Sequence, residues 1–128
     1  MPPKKPQNEK FGHKIKELRE AKKKTDPAFS LRGFAKAVGV SPTFLSQVEN
    51  NESTPPSAEN IIKMAELLGC DADELLALAG RFDPALQQII TQKPRAMADL
   101  LRTAHEVGAT EEQLQRVMEQ LRRKENKD

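Results

Sequence analysis

Apolar residues recur along the chain with a helical period, broken at regular intervals by glycine, proline and capping residues. Phe11, Ile15, Leu18 and Ala21 follow one another at spacings of four, three and three, which places them on one helix face. The run Lys22-Lys23-Lys24 closes that helix, where cations favour the C-terminal end of the dipole. Thr25-Asp26-Pro27-Ala28 reads as a loop from its turn residues. Ser30 is a suitable N-cap for a second helix, which points Leu31, Phe34, Ala35 and Val38 inward and stops at Gly39. Ser41-Pro42 restarts the chain with a cap followed by proline at the first helical position. The third helix keeps Phe44, Leu45 and Val48 on its apolar side and ends near Asn50-Asn51.

Thr54-Pro55-Pro56-Ser57 breaks the chain again and leads into Ile61, Ile62, Met64, Ala65 and Leu68, ended by Gly69. Asp71 with Glu74 resembles a capping box and opens a short fifth helix carrying Leu75, Leu76 and Leu78, ended by Gly80. Asp83-Pro84 and Lys93-Pro94 open two further helices, and Thr110 with Gln113 is another capping box. The helix it opens bears Leu114, Val117, Met118 and Leu121 at spacings of three, one and three. No alternating strand pattern and no internal repeat interrupts this series. The expected fold is all-α.

Composition narrows the function. The 128 residues suit one domain, or a small domain with an appendage, and no apolar run approaches the roughly 20 residues that would span a membrane. Met1-Pro2-Pro3-Lys4-Lys5-Pro6 lacks the apolar stretch of a secretory signal, and the single cysteine forms no internal disulfide; both point to the cytoplasm. With no Trp or Tyr and only 5 Phe, the core must be mostly aliphatic. The net charge of +2 conceals an asymmetry. Residues 1–50 carry 11 Lys/Arg against 5 Asp/Glu, a balance of +6, whereas residues 51–128 carry 10 against 14, a balance of −4. A basic end of this kind suits a polyanionic partner.

The stretch SLRGFAKAVGVSPTFLSQVE, Ser30 to Glu49, supplies the motif. Two short helices crossing tightly need a small residue at Ala35, a sharp turn at Gly39 and apolar plugs at Val40, Leu45 and Val48. On the third helix, Thr43, Ser46, Gln47 and Asn50 share the side opposite the apolar stripe, and none of them is charged. Amide and hydroxyl groups suit the edges of bases: Gln bonds adenine bidentately and a Thr methyl meets that of thymine. An uncharged solvated face is the duller explanation. From about Phe11 to Leu76 the pattern resembles the Cro/repressor-type helix-turn-helix regulators of the Xre family, including Leu68-Gly69 and Asp73-Glu74-Leu75.

That resemblance implies a five-helix, lambda-repressor-like DNA-binding domain over residues 10–80, after a disordered basic arm at 1–9 and before a helical extension at 81–128. It implies that Ser30 and Ser41, at helix N-termini, face phosphates, and that Pro42, Thr43, Ser46 and Gln47 reach bases. Asn50, Asn51, Ser53 and Thr54 match the loop lying along the backbone of the other strand, with Arg32 a further phosphate candidate. Arg19 and Glu49 match a recurrent ion pair that ties the first helix to the end of the third. Relatives commonly have glycine where Asn51 stands, and Asn is the residue best able to replace it in a left-handed turn. They also have a shorter turn after the first helix. The longer basic stretch from Lys22 to Phe29 is open to two readings, extra phosphate contacts or a solvated loop. The same holds for Lys4, Lys5 and Lys10, as a groove-tracking arm or a solubilising tail.

Other chemistry finds little support. Cys70 reads as a small core residue, His13 and His105 lack further ligands at metal spacing, and Asp71, Asp73 and Glu74 suit a helix N-terminus without a calcium loop around them. Neither an enzyme, a metal site nor a cofactor is expected. Leu114, Val117, Met118 and Leu121 pack either on their own chain or on a second copy, and the two half-sites of a helix-turn-helix operator favour the second copy. Gly108 to Lys124 is faintly similar to the oligomerising tail of Sin-type repressors. The expectation is a cytoplasmic, nucleoid-associated homodimeric regulator binding double-stranded DNA, most naturally a repressor. An antitoxin that holds a protein partner through its C-terminal helices and a restriction-system controller are the alternatives.

Overall fold

The computed structural model describes residues 6–126, all-α and without a strand among them. The elements are α1 (Pro6–Lys23), a 3₁₀ turn (Pro27–Phe29), α2 (Leu31–Val38), α3 (Pro42–Glu49), α4 (Ala58–Leu68), α5 (Ala72–Leu78), α6 (Pro84–Gln92), α7 (Pro94–Glu106) and α8 (Glu111–Asn126). Two of the sequence expectations need correction at α1. The helix begins at Pro6, so the disordered arm expected over 1–9 does not extend through residues 6–9; Pro6 has a φ suited to a first helical turn and lacks an N–H that would go unbonded there. Lys4 and Lys5 lie outside the described residues. Ala21, expected to face inward, is exposed, because the buried face of α1 drifts to Phe11, Ile15 and Arg19.

The helix starts are those the capping residues dictate. Ser30, Ser41 and Ser57 each accept, through Oγ, a backbone N–H three residues on, at 3.1, 3.0 and 3.2 Å, and Asp71 accepts that of Glu74 at 2.9 Å. Gly39, at φ 97°, makes the left-handed turn between α2 and α3 that a side chain would strain. Thr110 and Gln113 complete the reciprocal capping box before α8: the Gln113 N–H donates to Thr110 Oγ1 at 3.1 Å and the Thr110 N–H to Gln113 Oε1 at 2.9 Å.

The core lies wholly within α1–α5 and the residue that follows them. Phe11, Ile15, Phe34, Leu45, Ile61, Met64 and Leu76 are almost completely buried, and the series of buried apolar residues ends at Ala79. The chain divides into two compact units between Leu86 and Gln87. Along α6 and α7 no residue is buried, and every described residue of α8 is exposed.

Gly12 sits where α1 crosses the end of α3. A Cβ there would collide with the backbone carbonyl of Val48 and lie 2.7 Å from Asn51 Oδ1. Gly12→Ala is therefore expected to destabilise the chain by about 1–3 kcal/mol through overpacking, although alanine is intrinsically the better helix former. Urea denaturation measures this; a gain in stability would show that α1 and α3 separate freely.

Candidate nucleic-acid interface

The helix α3 is divided lengthwise. Leu45 and Val48 are buried with Phe44 half-buried beside them, while Pro42, Thr43, Gln47 and Asn50 are exposed. Ser46 is half-buried, and its Oγ lies 3.4 Å from Asn50 Nδ2, which donates to it. The exposed side therefore presents hydroxyls and amides in one row and no charge. At its head, Ser41 Oγ caps α3 by accepting the Phe44 N–H, which leaves the hydroxyl proton free to donate outward. Ser30 stands in the same relation to α2. Arg32 is exposed and has no ion-pair partner among the described residues.

Past α3 the chain turns through Asn51, whose φ of 60° is the left-handed value expected for an asparagine in a glycine position. Its Oδ1 is buried beside Gly12 without a hydrogen-bond partner. The loop beyond is organised by backbone carbonyls: Ser53 Oγ donates to Thr54 O at 3.0 Å, and Arg81 Nη2 donates to Pro55 O at 2.9 Å. Arg81 was not foreseen. Its partner lies 26 residues earlier, and a lone arginine after a terminating glycine gives no local signal of such a bond.

The charged anchor of the site is Arg19 with Glu49. Arg19 Nε and Nη2 donate to the two Glu49 oxygens at 2.7 and 2.9 Å, and Nη1 donates to Phe29 O at 3.1 Å. The side chains are only 6% and 4% exposed. Donating hydrogen bonds to Glu49 raises the Arg19 guanidinium above its ordinary range, against the opposing effect of burial, so it stays protonated. One guanidinium thus joins α1, the last residue of α3 and the approach to α2. Cys70 is half-buried beside Lys14, Leu18 and Leu75, and burial pushes its thiol up, away from the reactive thiolate. No group of metal-ligating side chains forms among the described residues, and no helix there is long and apolar enough to cross a membrane.

Comparison with known families places a match over residues 15–75, to the helix-turn-helix family HTH_3. Residues 15–75 are an Xre-type helix-turn-helix domain. The matched segment is a little under half of the chain. The match contains α2, α3 and the Arg19–Glu49 pair, and it stops short of Arg81. Among solved structures the chain is similar to the clp gene regulator ClgR from Corynebacterium glutamicum, at 24% identity over 84% of this chain and 100% of that one, with a TM-score of 0.48. It is also similar to a structure of a SinR protein/SinI protein complex, at 23% identity over 91% of this chain and 98% of that one, with a TM-score of 0.44. No curated protein matches the sequence.

Proposed function

We propose that the chain is a homodimeric transcriptional repressor that reads an inverted-repeat operator with α3 in the major groove. The observation that carries this reading is the lengthwise division of α3, with Leu45 and Val48 in the core and an uncharged row of Thr43, Gln47 and Asn50 facing out. Such a helix is held rigidly from behind while its free face matches the donor and acceptor pattern of base edges. Pro42, Thr43, Ser46 and Gln47 take the base contacts. Ser30, Ser41 and Arg32 take phosphates, as do Asn50, Asn51, Ser53 and Thr54 along the loop after α3. The exposed stripe Leu114, Val117, Met118 and Leu121 on α8 joins two copies.

Selection of bound duplexes from a random library tests the reading directly. An inverted repeat should emerge, with half-sites about 34–36 Å apart along one face of the DNA or a multiple of that. Recovery of no duplex, even at low salt, would replace it with a protein-sequestering role. On the selected duplex, Gln47→Ala should lose about 1–3 kcal/mol of discrimination at one base pair per half-site while non-specific binding hardly changes. Equal weakening on specific and unrelated DNA would remove Gln47 from the base-reading set.

A further inference from the structure

The segment joining α1 to α2 has no part in the reading above, yet it is a built structure. Lys22 O accepts the N–H groups of Thr25 and Asp26 at 3.1 and 2.9 Å, and Asp26 Oδ1 caps the 3₁₀ turn by accepting the Ala28 N–H at 2.9 Å. Lys22 Nζ lies 5.5 Å from the centre of the Phe29 ring, which stacks on Phe34 at 5.9 Å. The end of the segment is held at Phe29 O by Arg19, the same side chain that grips the end of α3. Its backbone is therefore set before any partner arrives, and only the exposed side chains remain to be ordered on binding.

Its charge is equally one-sided. Lys23 and Lys24 are exposed with no ion-pair partner among the described residues. The acid of the segment, Asp26, is occupied with its cap. Cations at the end of α1 also complement the helix dipole, but that effect fades within the last turn, and Lys24 stands beyond the helix. The segment delivers the chain to Ser30, the head of α2, next to which Arg32 adds another free cation.

We propose that Lys23 and Lys24 form a second anchor on the DNA backbone, binding phosphates beside the stretch that α3 reads. The anchor rests on the reading of α3 as the recognition helix and extends it: it adds affinity without sequence preference and lengthens the footprint of each half-site.

The test uses the full chain, one duplex recovered by selection with the unaltered protein and one unrelated duplex, with affinity followed from about 50 to 200 mM salt. Lys23→Gln/Lys24→Gln should make the slope of log affinity against log salt shallower by about 0.9 for each lysine on a phosphate. The change should be the same on both duplexes, with the preferred sequence and the thermal unfolding curve unaltered. Lys23→Arg/Lys24→Arg should restore the slope. Lys16→Gln/Lys63→Gln, which removes two exposed cations elsewhere, should leave the slope nearly unchanged. An unchanged slope in the first variant, or an equal change in the Lys16/Lys63 pair, overturns the anchor while leaving the role of α3 intact. Recovery of no duplex in the selection with the unaltered chain overturns both.

Discussion

Glu49→Ala should be among the most damaging single changes in the chain, destabilising it by about 3–5 kcal/mol. The loss comes less from the missing attraction than from what remains. The Arg19 guanidinium, buried and protonated, would keep a single hydrogen bond, to Phe29 O, and nothing to balance its charge. A small domain has only about 5–15 kcal/mol to lose, so much of the population would be unfolded at modest denaturant. Replacing both partners with apolar residues, as in Arg19→Met/Glu49→Leu, should be milder than Glu49→Ala alone, because no charge is then stranded. Urea denaturation of the three chains checks the order. A loss below about 1 kcal/mol for Glu49→Ala would mean that water reaches the pair as it does at a protein surface.

The second large effect concerns affinity. Deleting residues 109–128 removes α8, whose Leu114, Val117, Met118 and Leu121 are 40%, 44%, 37% and 63% exposed. The buried core ends at Ala79, so the shortened chain should fold with unchanged α1–α5. If α8 joins two copies, the product is a monomer that binds a single half-site, and affinity for the full operator falls by about 10²–10⁴ through loss of bivalency. Sedimentation gives the particle mass and titration with the selected duplex gives the affinity. Equal mass per particle before and after deletion, after allowance for the missing residues, would mean that the stripe packs within its own chain or that the contact between copies lies elsewhere.

The helical period made the interior of α1–α5 legible because each buried side chain sits on a face its own helix defines: Phe11 and Ile15, Phe34 and Val38, Leu45 and Val48. Caps made the starts legible, since Ser30, Ser41 and Ser57 act through bonds only three residues long. What escaped is long-range. Gly12 reads locally as a weak helix former, and only the approach of Val48 O explains it. Arg81 reads as an ordinary surface cation until Pro55 O is found beside it. The order within residues 22–29 escaped for the same reason, since three lysines and a proline give no sign of Arg19 holding Phe29 from a neighbouring helix. Ala21 is exposed because the buried face of α1 passes through Arg19 and Lys22 instead, the side that meets Glu49 and Phe29.

The lengthwise division of α3 also bears on redesign. Thr43 and Gln47 touch no core residue's role, and Leu45 and Val48 have no share in the exposed row. Randomising Thr43 and Gln47 together should therefore yield a library in which almost every member folds, so that variants differ in the DNA they prefer and hardly at all in yield. Asn50 is the poorer choice for such a library: it donates to Ser46 and adjoins the left-handed turn at Asn51. Retargeting can thus begin at two of the four positions proposed to reach bases, a set small enough to screen exhaustively.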